Sequence, residues 1–442
     1  MLQWQLLRII LSEPCPCKER PQISGMAARP KLLNDPVYGF IQLRHADFTQ
    51  VLDHPWVQRL RRISQLGLSH LVYPGAVHNR FHHAVGAMFL MQEALDSLRE
   101  KGNVITEEEY RGACLAILLH DVGHGPFSHA LEHSIVSGVQ HEEISTLIMN
   151  ELNAQFHGML DVAIEIFNDH HPKGFLHDLV SSQLDMDRMD YLRRDSFFTG
   201  VSEGMISSER IIRMLNVHEG RLVVDKKGIY SIEKFIISRR LMYWQVYLHK
   251  TVLAAEWMMM RILERAGELA RRGEKVWSTP ALAPFLAEDL DRARFLADPD
   301  VLNSFCALDD NDIICCVKAW QQHADPVLSQ LCTRLIDRRL FKIELRDAPF
   351  DQDDISERLE AVSKAFGLSM EDASFFVLHD RIDNRAYSTA SHGITMLYKD
   401  GSVRDVAAAS DHLNLSALSM PVERHFLAYP KEIPPRPHTV KG

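Results

Sequence analysis

Residues 107–129 read EEEYRGACLAILLHDVGHGPFSH, and the interpretation of the whole chain starts from this stretch. Three glutamates open it, as at a helix N-terminus, and an almost continuous apolar run follows, so the stretch predicts a buried helix. The helix carries His120 and Asp121 at its C-terminal end, where two glycines and a proline then break it. Two potential metal ligands are therefore presented at a helix end inside the protein.

The composition is that of a globular chain. Its 442 residues are 46% hydrophobic and suffice for two or three domains, and 59 acidic against 49 basic residues give a net charge of −10. Nucleic acid is not an expected partner, because non-specific binding to it depends on neutralising phosphates. Seven cysteines without a paired framework favour a reduced, cytoplasmic protein. The apolar opening segment is too short to span a bilayer, so no membrane association is expected.

The hydrophobic pattern predicts a mainly α fold with a smaller C-terminal α+β region. Apolar residues recur at helical spacing through most of the first 320 residues, and strand-like patterns follow. Hairpins are predicted at Asp400-Gly401 and, within residues 219–231, around Lys226 to Gly228. Helices are predicted over 52–62, 81–99, 107–121, 141–154, 159–169, 176–194, 207–216, 231–272, 279–295 and 299–322, and strands within 338–347, 373–381 and 393–406.

Histidines are concentrated in one part of the chain: twelve of the 23 lie between positions 78 and 177. Imidazole nitrogens and carboxylate oxygens are the usual ligands of divalent cations, and two adjacent residues do not complete such a site. HNRFHHAVG at 78–86 offers three more histidines, and LDMDRMDYLRRD at 184–195 offers four aspartates. Asp187 and Asp190 share a helix face with an aromatic ring and an arginine, which suits a phosphorylated ligand with a flat base or sugar.

Other polar residues have ordinary explanations. The arginine run at residues 59–62 is interpreted as a solvated helix face. Isolated histidines such as His45, His218 and His379 are interpreted as solvated or capping residues. His141, which is followed by two glutamates, could cap a helix.

Four motifs in a fixed order, NRFHH, HDVGHGPFSH, QHEE and DMDRMDYLRRD, resemble those of the HD-domain phosphohydrolases. Within that superfamily the chain is similar to the deoxynucleoside triphosphate (dNTP) triphosphohydrolase branch, which has vertebrate and bacterial members, over roughly residues 30–250. The resemblance implies an HD-domain helical bundle. We accordingly divide the chain into a leader at 1–25, with Met26 as an alternative start, a catalytic core at 26–275, a helical extension at 276–330, an α+β region at 331–430 and a tail at 431–442.

The same resemblance implies one divalent metal ion per subunit, for which Mn, Fe, Mg, Zn and Ni are all compatible. Its ligands would be His83, His120, Asp121 and Asp187. The catalytic residues it implies are His124, His141 and Glu132, with His141 as the general acid or base and Glu132 orienting it.

A dNTP substrate would be bound at both of its ends. Gln65 and Asp195 would hydrogen-bond the 3′-hydroxyl, and an aromatic ring at the 2′ position would exclude a ribose. Differences from the vertebrate pattern near the base leave the preferred nucleobase open. The residues implied are His129, Arg80, Arg188 and Arg239 at the triphosphate, and Gln65, Leu66, Tyr191, Asp195 and Tyr247 at the deoxyribose.

The resemblance also implies regulation. Lys31, Asp53, Gln58 and Arg61 correspond to positions that bind an activating nucleotide, GTP or a dNTP, at a subunit interface. A homo-oligomer, either a dimer or a tetramer, is therefore expected.

Two other functions remain open at this point, because metal ligands alone do not choose a substrate. One is a phosphohydrolase that acts on a nucleoside monophosphate, a cyclic nucleotide or a guanosine alarmone. The other is a non-catalytic nucleotide sensor. The products of hydrolysis would distinguish the enzymes, and an intact ligand set weighs against the sensor.

Overall fold

The computed structural model describes residues 31–127, 138–288, 290, 292–384, 393–410 and 422–434. The predicted leader at 1–25, His129, Glu132 and the end of the predicted tail lie outside the described residues.

The described chain is mainly helical around an extensive hydrophobic core, with small sheets, as predicted. The strands are β1 (Lys31–Asp35), β2 (Gly39–Leu43), β3 (Leu215–His218), β4 (Arg221–Asp225), β5 (Lys342–Arg346), β6 (Leu378–Asn384), β7 (Thr395–Leu397), β8 (Val403–Asp405) and β9 (Val422–Tyr429). The helices are α1 (Ala46–Leu52), α2 (Pro55–Gln58), α3 (Arg80–Glu100), α4 (Glu107–Leu119), α5 (His141–Gln155), α6 (Asp161–Phe167), α7 (Gly174–Val180), α8 (Met186–Thr199), α9 (Ser208–Met214), α10 (Ile229–Met242), α11 (Lys250–Arg271), α12 (Ala283–Ala287), α13 (Arg292–Ala297), α14 (Pro299–Ala307), α15 (Asp310–Trp320), α16 (Pro326–Ile336), α17 (Gln352–Phe366), α18 (Met370–Ala373) and α19 (Val406–Ala409).

Helix α3 lies at the centre and packs against α4 and α8. Capping side chains determine where α3 and α4 begin: Asn79 and Thr106 each accept a hydrogen bond from the backbone N–H three residues on, and the side chains of His82 and Glu109 accept one from the backbone N–H of the cap. Helix α4 is buried from Gly112 to Leu119. Each large apolar side chain buried there contributes about 1.5–3 kcal/mol, so the end of α4 is firmly anchored.

Several predicted helices are divided. The predicted helix 231–272 is interrupted by a π-helical turn at Tyr243–Tyr247, after which His249 caps α11 through the N–H of Thr251. The predicted helix 299–322 ends at Ala307 and restarts after Asp309, whose side chain caps α15. The predictions over 176–194, 279–295 and 52–62 divide likewise, into α7 and α8, α12 and α13, and α2 followed by a 3₁₀ turn at Arg59–Arg62.

The predicted hairpin around Lys226 to Gly228 was placed wrongly. Strands β3 and β4 pair through a tight turn at Glu219 and Gly220, both with positive φ, and Lys226–Gly228 forms a 3₁₀ turn that leads into α10. The Asp400-Gly401 hairpin is confirmed between β7 and β8, with Gly401 at φ +83°. The hairpin of β1 and β2 was not predicted.

The C-terminal region contributes to two sheets. Strands β5, β9 and β6 form an antiparallel sheet with β9 in the middle. Strands β7 and β8 instead extend the β3–β4 hairpin, because β7 pairs in parallel with β4. The segment that carries β7 and β8 is therefore attached to the hairpin that precedes α10, whereas β9 stays in the C-terminal sheet. None of the described helices is both long and apolar enough to cross a membrane.

Candidate active site

Three side chains converge where the first turn of α3, the end of α4 and the first turn of α8 meet. His83 Nε2 lies 3.2 Å from His120 Nε2 and 3.1 Å from Asp187 Oδ1, and the latter two atoms are 3.5 Å apart. Metal–ligand bonds of about 2.0–2.2 Å bring neighbouring ligand atoms to about 3 Å from one another. The three residues therefore form a cluster that could hold a metal ion.

Asp121 adds a second carboxylate to this cluster. Its Oδ1 lies 3.3 Å from His120 Nε2, and its Oδ2 lies 3.7 Å from His83 Nε2. Arg80 Nη1 donates a hydrogen bond to the same Oδ2. The four residues predicted as metal ligands are therefore brought together, from three separate segments of the chain.

Hydrogen bonds at Nδ1 decide which nitrogen of each imidazole faces the cluster. His83 Nδ1 lies 2.8 Å from Asp190 Oδ2, and His120 Nδ1 lies 2.6 Å from the Ile117 carbonyl oxygen. Both partners are acceptors, so each Nδ1 carries a proton and Nε2 is the nitrogen that faces the cluster, where it can bind a metal ion once it gives up any proton it holds. The ring protonated at Nδ1 is the tautomer that such ligation requires.

A buried arginine holds Asp190 in turn. Arg194 donates from Nε to Asp190 Oδ2 at 2.8 Å and from Nη2 to Oδ1 at 3.0 Å, while Nη1 donates to Asp35 Oδ2 at 2.8 Å. Gly86 makes room for this pair, because a Cβ there would lie 2.1 Å from Arg194 Nη2 and 2.2 Å from Asp190 Oδ1. Asp190 and its arginine, expected on a ligand-facing helix side, are thus buried and support His83 instead.

The two carboxylates of the cluster favour a cation. Burial alone would lower the pKa of His83, but its hydrogen bonds with Asp187 and Asp190 raise it to about 10. Burial would raise the pKa of Asp187, but hydrogen bonds from His120 and His83 hold it well below its usual range. The neighbouring charges of His120 and Arg80 likewise overcome burial and lower the pKa of Asp121. Both carboxylates are therefore ionised at neutral pH.

Arg59 holds the turn that follows α4, a role that the sequence did not reveal. The residue was predicted on a solvated face, yet it is 0% exposed. Its Nη2 donates to the carbonyls of Val122 at 2.7 Å and His124 at 3.1 Å. Its Nη1 donates to the carbonyls of Phe305 and Leu308, both at 3.2 Å, which ties this turn to the end of α14.

A serine on α5 holds the same turn from the other side. Ser145 Oγ donates to the His120 carbonyl at 2.8 Å and accepts from the Gly123 N–H at 2.9 Å. Gly123 is required here, since a Cβ would lie 2.2 Å from the His141 carbonyl oxygen. The backbone that carries His120 and His124 is thereby held in one conformation.

His124 and His141 form a stacked pair next to the cluster. Their ring centroids are 3.9 Å apart with an interplanar angle of 19°. His124 Nε2 lies 3.3 Å from Asp121 Oδ1, and His141 Nε2 lies 3.3 Å from Glu142 Oε1. Glu132, the expected partner of His141, lies outside the described residues.

A cavity of about 440 Å³ opens over the cluster, a size suited to a small-molecule ligand. His83 lies fully buried behind it. The predicted site residues that line the cavity are Gln65, Leu66, Arg80, His120, Asp121, His124, His141, Asp187, Arg188, Tyr191, Asp195 and Tyr247.

The carboxylate of Asp195 is held from both sides. His78 Nε2 lies 2.7 Å from Oδ1, and the Tyr247 hydroxyl donates to Oδ2 at 2.7 Å. Tyr191 packs edge-on against Tyr247, with ring centroids 5.9 Å apart. Arg239, predicted to contact phosphates, is not among the cavity-lining residues; its guanidinium lies 5.9 Å from the centre of the Tyr243 ring, beside the cavity.

Glu256 is a cavity residue that sequence reasoning missed. It lies on α11 and lines the cavity, and burial raises the pKa of its carboxyl group to about 8. The motifs end before α11, so only the position of this acidic residue in an otherwise largely apolar stretch, TVLAAEWMMM, could have pointed to it.

The four residues predicted to bind a regulatory nucleotide lie near one another, away from the cavity. Lys31 Nζ lies 2.6 Å from Asp53 Oδ1, and Arg61 Nε donates to Gln58 Oε1 at 2.8 Å. The Arg61 guanidinium also lies 3.5 Å from the centre of the Phe81 ring. Burial lowers the pKa of Arg61, whereas the nearby charge of Asp53 opposes that shift.

The chain matches the HD domain over residues 80–195 and the HD associated region over residues 206–275. It is similar to YwfO of Bacillus subtilis, an uncharacterized protein, with 31% identity over 93% of this chain and 94% of that one. The crystal structure of a phosphohydrolase from Bacteroides thetaiotaomicron shares 50% identity and superimposes with a TM-score of 0.88, covering 90% of this chain and 99% of that one.

More distant similarity connects the chain to proteins with a named substrate. The human deoxynucleoside triphosphate triphosphohydrolase SAMHD1 is 28% identical over 50% of this chain and 42% of its own length. Its homolog in Dictyostelium discoideum is 29% identical over 56% of this chain and 51% of its own length. The chain thus spans about half the length of these two relatives.

Proposed function

The chain belongs to the HD-domain phosphohydrolase superfamily, and we propose that it hydrolyses dNTPs to a deoxynucleoside and inorganic triphosphate. One observation carries the proposal: the metal-binding cluster opens into the same cavity as Gln65, Tyr191 and Asp195, which suit a deoxyribose. The similarity to the dNTP triphosphohydrolases supports it.

His83, His120, Asp121 and Asp187 would hold one divalent ion. Their spacing, their tautomers and the two ionised carboxylates fit such an ion. When bound, it polarises a phosphoryl oxygen and lowers the pKa of a water molecule. Mn, Fe, Mg, Zn and Ni all accept this mixed set of nitrogen and oxygen donors.

The cations of the cavity would bind the triphosphate. Arg80 and Arg188 line the cavity, and they contact Asp121 and Asp185 respectively. Their positive charge next to the cluster would attract the phosphates there and stabilise the charge that the triphosphate gains as it leaves. His129 and Arg239 remain predicted contacts at the same end.

The stacked histidines would handle the proton. Water adds to the α-phosphorus, the bond from phosphorus to the 5′-oxygen breaks, and the 5′-oxygen must gain a proton. We assign its donation to His141, with His124 packed against it and Glu132 as the predicted orienting group. The donor is then regenerated by the proton that the attacking water loses.

The opposite part of the cavity would bind the sugar. Gln65 Oε1 is buried without a hydrogen-bond partner among the described residues, so the amide group of Gln65 is available to a ligand and can donate from its NH₂ to the 3′-oxygen. Asp195 has one protein hydrogen bond on each oxygen, which leaves lone pairs for the 3′-hydroxyl. Leu66, Tyr191 and Tyr247 complete the wall against which the deoxyribose packs.

Regulation by a nucleotide belongs to the same proposal. Lys31, Asp53, Gln58 and Arg61 present charged and amide groups together, with the side chains of Lys31 and Asp53 36% and 54% exposed. GTP or a dNTP bound there at an interface between copies of the chain would activate hydrolysis. The expected signs are a larger assembly by light scattering and faster turnover when GTP is added.

The test is an assay of each dNTP with Mn²⁺ or Mg²⁺, with and without GTP, that identifies the products. Deoxynucleoside and triphosphate in equal amounts would support the proposal. Pyrophosphate or monophosphate as the product would instead favour another HD-domain phosphohydrolase activity. If no combination releases triphosphate, while Asp187→Ala preserves the cellular function of the protein, a nucleotide sensor replaces the enzyme.

A further inference from the structure

Glu256 occupies a distinct part of the cavity wall. Its Oε1 lies 3.5 Å from the position that a Cβ would take at Gly67, one residue after Leu66. Gly67 has φ +48°, a conformation that favours glycine, so the backbone passes the carboxyl group without a side chain between them. Glu256 therefore lies next to the segment that carries Gln65 and Leu66.

No other described residue forms a hydrogen bond or an ion pair with Glu256. Asp121 contacts Arg80 and Asp195 contacts His78, so these cavity carboxylates have partners, whereas Glu256 faces the cavity alone. Burial raises its pKa to about 8, so the neutral acid predominates at pH 7. An unpartnered carboxyl group in a cavity wall has a cost in stability, which a hydrogen bond to a ligand would offset.

The charges around the cavity indicate which part of a ligand reaches Glu256. The cations Arg80 and Arg188 lie by the cluster, where phosphates would bind. Among the described residues, no neighbouring charge contributes to the pKa shift of Glu256, so a phosphate there would lack a cation and, once the acid ionises, would meet a like charge. Glu256 is therefore suited to the uncharged nucleoside.

We propose that Glu256 is a specificity-determining residue that accepts a hydrogen bond from an N–H or O–H group of the nucleoside part of the bound nucleotide. This inference rests on the proposed function. The donor is either a base N–H or the 3′-hydroxyl, whose single proton would then go to Glu256 instead of Asp195. Either contact would hold the nucleoside in one orientation relative to the cluster.

The experiment compares Glu256→Gln, Glu256→Leu and the wild type, with Glu264→Gln as a control. Glu264 lies on the same helix but is paired with Arg261 outside the cavity. We expect Glu256→Leu to lower kcat/KM for at least one dNTP by about tenfold to a hundredfold, mainly through KM, because it removes a hydrogen bond in a desolvated site. Glu256→Gln keeps a hydrogen-bond acceptor, so its kcat/KM should fall less than that of Glu256→Leu. Glu264→Gln should have the kcat/KM of the wild type.

Two comparisons identify the donor. A changed ranking of the four dNTPs in Glu256→Leu assigns the contact to a base N–H. If kcat/KM falls by the same factor for all four dNTPs, and this loss disappears with 3′-deoxy analogues, the contact is with the sugar. Unchanged kcat/KM for every dNTP in both Glu256 variants would overturn the inference, provided that unfolding temperature and metal content equal those of the wild type.

Binding measurements separate this inference from the proposed function. If the wild type binds dNTPs by calorimetry but releases no triphosphate, the proposed activity fails. Weaker dNTP binding by Glu256→Leu would then still support the contact, and equal binding would refute it. A wild type that binds no nucleotide would overturn both.

Discussion

Replacing Asp190 with asparagine tests how the protein prepares His83 for a metal ion. Asp190 Oδ2 accepts from both His83 Nδ1 and Arg194 Nε, while Oδ1 accepts from Arg194 Nη2. The amide group of Asp190→Asn must put its NH₂ at one of these two positions. If the NH₂ group faces His83 Nδ1, it donates to that nitrogen and the ring proton moves to Nε2, the atom that would bind the metal. If the NH₂ group faces Arg194 Nη2, two hydrogen-bond donors oppose each other.

The expected losses in stability and in metal affinity follow from the burial of Asp190 and from the removal of its charge. Both side chains of the pair from Asp190 to Arg194 are 0% exposed, and losing one charge of a buried pair costs about 3–5 kcal/mol of unfolding free energy. Removing the group that orients a metal-binding histidine weakens metal affinity by about tenfold to a hundredfold. Asp190→Asn should therefore show both losses.

Asp325→Asn is the matched control. Arg265 donates to Asp325 from two nitrogens, at 3.2 Å and 2.6 Å, and the side chains are 7% and 9% exposed, but the pair joins α11 to α16 outside the cavity. Urea unfolding measures stability, and competition with a chelator at fixed free metal measures affinity. The reasoning is refuted if Asp190→Asn binds metal within about twofold of the wild type, or if Asp325→Asn weakens binding as much as the tenfold or more expected for Asp190→Asn.

Three further predictions concern stability. Gly86→Ala places a methyl group against Arg194 and Asp190 and should cost about 1–3 kcal/mol by urea unfolding; a variant as stable as the wild type would contradict this packing. Arg59→Met leaves four buried carbonyl groups without their donor and should cost at least about 3 kcal/mol, with weaker metal binding; a loss under about 1 kcal/mol would count against it. Because the folded state raises the pKa of Glu256 from 4.5 to about 8, its ionisation opposes folding, so wild-type stability should decline as pH rises through this range. Glu256→Gln lacks this decline, and its unfolding temperature relative to the wild type should rise between about pH 5 and pH 9; a constant difference would disprove the assignment.

The sequence predicted the residues of the metal-binding cluster better than the residues that hold them in place. His120 and Asp121 could be found because an apolar helix ends in a glycine-rich break, and the resemblance supplied His83 and Asp187. The burial of Asp190 could not be predicted, because its helix face depends on how closely α8 approaches α3 at Gly86. Spacing alone indicates which residues share a face but not what that face contacts.

The fold was also predicted in part. Helical periodicity identified the helical regions, and the α+β character of the C-terminal region is confirmed. The divisions of the long helices escaped prediction where no glycine or proline marks them, as at Tyr243–Tyr247. Arg59 looked like a solvated residue because its acceptors are backbone carbonyls, two of them more than 240 residues away in the chain.

The bonds from Arg59 to α14 also bear on synthesis at the ribosome. The Val122 and His124 carbonyls can meet the guanidinium as soon as the first helices fold, but the Phe305 and Leu308 carbonyls emerge much later. Asp310, which accepts from the N–H groups of Ser64 and Phe127 beside the cavity, emerges later still. Since domains fold as the chain is made, a nascent chain that already carries all its metal ligands still lacks these restraints. Truncated chains that stop before residue 305 should accordingly bind metal more weakly than the complete protein.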